Sequence, residues 1–132
     1  MHVCIFVLVQ MVAGGLLAAS NSDARVFCVD TFEGSGEEHN AYEVIQSGTL
    51  QAAFEENIAR FPTLAKYITA IRSRSVPAAE RFDHSSVDLM YLDGDHSADA
   101  VSADLKAWIP RMRNGSRFCG HDFIKDMGTR VA

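Results

Sequence analysis

Several things are scarce in this 132-residue chain, and each scarcity excludes something. The three cysteines, Cys4, Cys28 and Cys119, sit in apolar runs with no CxxC spacing, so neither a disulfide framework nor a cysteine-rich zinc site is expected. Buried reduced thiols are the expected state. Basic residues are outnumbered, 12 Lys and Arg against 17 Asp and Glu, and they are scattered rather than striped. A nucleic-acid backbone is therefore not the expected partner. No apolar run reaches the roughly 20 residues that span a bilayer. Val3 to Ala19 is nearly uncharged, and Leu17-Ala18-Ala19-Ser20 is similar to the end of a secretory signal, but no Lys or Arg precedes the run. A buried strand or helix at the start of a cytoplasmic fold is the expectation. There is no internal repeat and no low-complexity segment, and the length suits one domain with one core.

What is present is an alternation of strands and helices. Met1 to Val9 is rich in β-branched residues and predicts a buried strand. Met11 to Ser20 predicts a short helix, weakened by Gly14 and Gly15. Arg25 to Val29 predicts a second strand, ending in Asp30. Thr31 to Gly48 is a long polar loop of the kind that forms functional lids. Thr49 to Phe61 predicts an amphipathic helix from Leu50, Phe54, Ile58 and Phe61, ended by Pro62. Tyr67 to Arg72 predicts a third strand, and Ser75 caps a helix through Phe82 with Pro77 in its first turn.

Val87 to Leu92 is an almost unbroken apolar run, as in a parallel strand covered on both faces. It passes directly into Asp93-Gly94-Asp95-His96, where Gly94 allows a tight turn and Ser97 caps the next helix. Ser97 to Met112 predicts that helix, with Val101, Leu105, Trp108, Ile109 and Met112 on one stripe and Asn114-Gly115 as its stop. Ser116 to Gly120 predicts a last strand, ending in His121-Asp122. The pattern predicts an α/β, Rossmann-like three-layer sandwich around a mostly parallel sheet.

In a parallel sheet all of these acids share one edge, and that edge is where ligands bind. Asp30 has the position of the acid that accepts hydrogen bonds from a ribose in nucleotide-binding βαβ folds; a turn or helix cap is the plainer alternative. Asp93, Asp95, His96, His121 and Asp122 offer oxygen and imidazole ligands suited to Mg²⁺ or Mn²⁺, with an adjacent imidazole to remove a proton. Either acid of the Asp93-Gly94-Asp95 run could instead cap a helix, and His96 could be structural.

Four blocks then carry a resemblance. Val29-Asp30-Thr31-Phe32-Glu33-Gly34-Ser35, Val87 through Ser97, Asp104-Leu105-Lys106-Ala107-Trp108 and Gly120-His121-Asp122-Phe123 together resemble class I S-adenosylmethionine-dependent methyltransferases. The similarity spans Val26 to Phe123 and is closest to the group that includes small-molecule and sugar O-methyltransferases and cephalosporin hydroxylase-like proteins. The resemblance implies S-adenosylmethionine as cofactor, with its ribose on Asp30 and its adenine near Ser73 and Ser75. It implies a divalent cation, Mg²⁺ or another, on Asp93 and Asp122, and His96 as general base for methyl transfer to an oxygen of a small molecule.

The same family carries a glycine-rich loop after its first strand. Here the expected place, Phe6 to Val9, reads Phe-Val-Leu-Val. The resemblance therefore implies a single domain over residues 1–132, incomplete at both ends and at the edges of its sheet. Two alternatives stay open: an inactive methyltransferase-like fragment that binds or self-associates through an exposed sheet edge, and a metal-dependent hydrolase using Asp93, Asp95, His96 and Asp122.

Overall fold

The computed structural model describes residues 2–5, 24–33 and 50–120. In chain order the elements are β1 (His2–Ile5), β2 (Arg25–Asp30), α1 (Leu50–Ala59), α2 (Pro62–Ala65), β3 (Ile68–Arg72), α3 (Ser75–Ala79), β4 (Val87–Leu92), α4 (Ala98–Trp108), a single 3₁₀ turn (Ile109–Arg111) and β5 (Met112–Gly120). The five strands form one sheet in the order β3-β2-β1-β4-β5, and every pair is parallel. This is the expected Rossmann-like arrangement. The strand expected over Met1 to Val9 is present at His2–Ile5, in the middle of the sheet; its remainder, the helix expected over Met11 to Ser20 and most of the polar loop lie outside the described residues.

Strand alternation sends side chains to two separate cores, one on each face of the sheet. Val26 and Cys28 of β2 pack with Phe32 and with Phe54 of α1 on one face. Phe27 and Val29 of the same strand pack on the other, with Ile71 of β3, Ala78 and Ala79 of α3, and Trp108 of α4. Helices on both faces make the sandwich three layers deep. The second core is centred on aromatic edges: Phe82 contacts Trp108 with ring centroids 5.1 Å apart and meets Phe27 edge-on at the same distance.

β4 changes face partway along. Val87 packs on the Trp108 side, whereas Leu89 and Tyr91 pack on the Phe54 side. The cause is an irregularity in the β4–β5 ladder, where Val87 pairs with Met112 but Leu89 pairs with Arg117. The extra residues on β5 include Asn114 and Gly115, and Gly115 has φ +81°. Asn114-Gly115 thus interrupts a strand, and the expectation that it stops a helix is corrected. α4 itself ends at Trp108, four residues before the expected Met112. Pro110, lacking an N–H, cannot continue the ladder of helical hydrogen bonds.

A Cβ on Gly115 would meet nothing within 4 Å, so a side chain there pays only for its backbone conformation. Gly115→Ala is expected to cost about 1–2 kcal/mol of stability, read as a lower urea midpoint; an unchanged midpoint would show that β5 adapts freely.

Other local expectations are also revised. Pro62 opens α2 instead of simply ending α1, in the first-turn position that suits proline. Phe61 and Ile109, assigned to buried stripes, are 57% and 58% exposed. Cys28 is buried as expected, but Cys119 is exposed on the outer strand β5. Burial, with a contribution from the Asp30 charge, pushes the Cys28 thiol up to about 12, which keeps it protonated and unreactive. Among the described residues, no helix is long and apolar enough to cross a membrane.

Candidate functional site

The chain runs outward from β1 to β2 to β3, then returns to place β4 on the opposite side of β1. The reversal makes β1 and β4 the switch point, and the crevice outside their carboxyl ends is the binding position of such sheets. Asp30 closes β2 and Asp93 follows β4, two strand spacings apart, or roughly 10 Å. The two acids therefore flank one cleft but stand too far apart to grip one small ion. They divide a larger ligand between them.

Asp30 is half-buried, and its Oδ1 accepts a 2.6 Å hydrogen bond from the Phe32 N–H. Among the described residues its Oδ2 accepts no hydrogen bond, so the carboxylate retains acceptor capacity. The backbone carbonyl of Asp30 accepts from the Ser73 N–H at 2.9 Å, tying the end of β2 to the residue after β3. Ser73 is half-buried and its hydroxyl donates to the Arg74 carbonyl at 3.0 Å. Asp30 and Ser73 thus stand side by side at the carboxyl edge.

Ser75 lies one step further in. It is the first residue of α3 and not its cap; Arg74 takes the cap position without a side-chain bond. The Ser75 Oγ accepts from the Trp108 indole Nε1 at 2.9 Å and hydrogen-bonds to the Asp104 carboxyl. Its hydroxyl is committed to the packing of α3 against α4, so anything Ser75 offers a ligand comes from its backbone.

After β4 the loop sorts its polar residues. Asp95 is an exposed cap: its Oδ1 accepts from the Ser97 N–H at 2.8 Å, and that bond holds its carboxyl below the ordinary 3.8. Ser97 accepts from the Ala100 N–H at 3.4 Å, confirming it as the cap of α4. Asp93 instead turns toward His96, with Oδ1 4.0 Å from Nε2. The Asp93 side chain is 15% exposed and that of His96 36%, so the acid is the more shielded of the two. The tight turn expected of Gly94 is not needed; its φ is not positive and a Cβ there would meet open space. His121 and Asp122 lie outside the described residues, among which no three His, Cys, Asp or Glu side chains gather around a point.

Two features went unread in the sequence. One is Phe32, whose backbone N–H fixes Asp30. The other is Asp104, buried on α4 beside Trp108. A signal for Asp104 did exist: it stands three residues after Val101 and four before Trp108, on the same stripe, where a carboxylate is out of place. Desolvation raises its affinity for a proton above the ordinary 3.8, against the opposing pull of the Ser75 hydrogen bond and with a further push from the Asp95 charge. The folded state thus holds this proton more tightly than the unfolded chain. The stability that Asp104 gives is present at pH below 3.8 and is lost as pH rises through the raised value. Asp104→Asn is accordingly expected to gain on the native protein between pH 4 and pH 7 in thermal midpoint; a gap independent of pH would contradict this.

Comparison with known proteins identifies the family and the fold. A family described as "Methyltransferase domain" matches residues 9–123. A Sinorhizobium fredii protein (strain NBRC 101917 / NGR234), named "Uncharacterized protein y4gI", is 32% identical over 117 residues, which cover 89% of this chain and 11% of that protein. A crystal structure of a Corynebacterium glutamicum structural-genomics target superposes with a TM-score of 0.53 at 16% identity, over 98% of this chain and 55% of that one. At that identity the likeness is one of fold. The chain spans about a tenth of the first protein and about half of the second.

Proposed function

The chain belongs to the methyltransferase domain family, and from that premise we propose that its carboxyl-edge cleft binds S-adenosylmethionine and directs methyl transfer to an oxygen of a small molecule. The observation that carries the reading is Asp30: a half-buried carboxylate at the end of β2, with one oxygen fixed by Phe32 N–H and acceptor capacity left on the other. A ribose diol is the ligand group that such an acceptor suits. Ser73, joined to Asp30 by a backbone hydrogen bond, and the backbone at Ser75 line the neighbouring adenine position.

The bound cofactor supplies an activated methyl group; the protein supplies alignment and a proton acceptor. His96 accepts the proton of the substrate hydroxyl, with Asp93 4.0 Å from its ring. In the same proposal Asp93 and Asp122 hold a divalent cation, Mg²⁺ or another, which would draw the substrate oxygen toward its deprotonated form. Small hydroxylated molecules are the expected acceptors.

Titration calorimetry with S-adenosylhomocysteine tests the cofactor half of the reading. The native chain is expected to bind, and Asp30→Ala to weaken binding about 10- to 100-fold, the worth of hydrogen bonds to a charged group. Equal affinities for the two would remove Asp30 from the site.

A second reading is favoured by β5, which pairs with β4 alone among the described strands and leaves Phe118 40% exposed. In that reading the domain self-associates along this edge. Light scattering at rising protein concentration distinguishes it: a mass that stays at the monomer value contradicts self-association.

A further inference from the structure

We propose that Phe32 is a positioning residue for Asp30: its buried ring holds the turn after β2 in a left-handed conformation that keeps one carboxylate oxygen locked and the other presented to the cleft. The proposal rests on the cofactor reading above. Phe32 has φ +56°, a conformation that costs energy for any residue with a Cβ and is uncommon for an aromatic one. The residue type at position 32 does not favour it, since neither glycine nor asparagine stands there.

Two contacts hold Phe32 in place from opposite sides. Its N–H is committed to Asp30 Oδ1 at 2.6 Å. Its ring is 3% exposed and meets Phe54 of α1 edge-on, with centroids 5.3 Å apart. With the N–H held on Asp30, the left-handed φ is what turns the ring into the core beside Val26 and Cys28. Relaxing the backbone would mean giving up one contact or the other. The aromatic pair therefore maintains strain at a ligand-facing turn, the circumstance in which strained residues persist. It orders the carboxylate before any ligand arrives.

Alanine and glycine at position 32 separate this role from general packing. Both remove the ring and lose its burial. Alanine keeps the cost of the left-handed backbone, whereas glycine adopts it freely. Phe32→Ala is expected to weaken S-adenosylhomocysteine binding about tenfold or more, while Phe32→Gly stays within about threefold of the native protein, although both lower the thermal midpoint. With the 2′,3′-dideoxy analogue of the same nucleoside, which offers Asp30 no hydroxyls, the alanine penalty should vanish. Equal weakening by both substitutions, or an alanine penalty that persists with the dideoxy analogue, would overturn the positioning role and leave the cofactor reading intact. A native protein that binds no S-adenosylhomocysteine, or an Asp30→Ala variant that binds as well as native, would overturn the cofactor reading and this proposal together.

Discussion

Trp108→Ala is expected to lower the free energy of unfolding by about 3–5 kcal/mol, the largest stability loss of any single change considered. Trp108 is fully buried at the junction of α3, α4 and the sheet, and the core around it includes Val29, Ile71, Phe82 and Met90. Its removal leaves a cavity that the β-sheet cannot collapse to fill. It also takes away the indole N–H that Ser75 Oγ accepts at 2.9 Å, loosening the start of α3 beside the cleft. Domains of this size are stable by only about 5–15 kcal/mol, so the variant is expected to be close to unfolding at physiological temperature. Urea denaturation followed by far-ultraviolet circular dichroism measures it, because the substitution removes the single tryptophan and with it the fluorescence signal. Trp108→Phe retains much of the packing and is expected to lose less. A cost below about 1 kcal/mol for alanine would show that this core does not depend on the indole.

His96→Ala is expected to slow methyl transfer to a hydroxylated acceptor about 10²- to 10⁴-fold, the usual contribution of a positioned general base. His96 lies in the loop after β4, on the far side of β1 from Asp30. Cofactor affinity should therefore change by no more than about threefold, because the strands that carry the two residues stand two strand spacings apart, roughly 10 Å. Single-turnover transfer from labelled S-adenosylmethionine reads the first quantity and calorimetry the second. A variant that loses cofactor affinity and keeps its turnover rate would reassign His96 to the binding side of the site.

The parts of this fold that were legible in the sequence were those with a local cause. The apolar run of Val87 to Leu92 is read as a strand because both of its faces are covered, and the acids at strand ends stand out because they interrupt such runs. Ser97 caps α4 as its residue type and place suggest. The parts that were not legible depend on distant partners. β5 begins at Met112 because it pairs with Val87, and nothing within Arg113-Asn114-Gly115 announces a strand that bulges. Leu89 faces away from Met90 and the Trp108 core by plain alternation, and it is Val87, beside the bulge, that departs from it. The stripe ending in Ile109 and Met112 looked helical until Pro110 is weighed against it.

The site shows the same division. Asp30, Ser73, Asp93 and His96 are visible from motif and position, and the structure brings each to the same sheet edge. Ser75 opens a helix near where one was expected, but as its first residue and not its cap, and its hydroxyl is taken by Trp108, a residue 33 positions away. Phe32 passed for an ordinary apolar residue of a loop. Only its left-handed backbone and the bond from its N–H to Asp30 reveal the part it plays.

The central claim is that the carboxyl ends of β2, β1 and β4 form one cofactor cleft. Amide chemical shifts on titration with S-adenosylhomocysteine test it most directly, residue by residue, in the native chain. The account predicts saturable shifts concentrated at Asp30 to Phe32, at Ser73 to Ser75 and at Asp93 to Ser97, with little change at the opposite edge around Ser85 to Val87 and Arg111 to Arg113. Shifts confined to that opposite edge, or no saturable shift at any position, would contradict it.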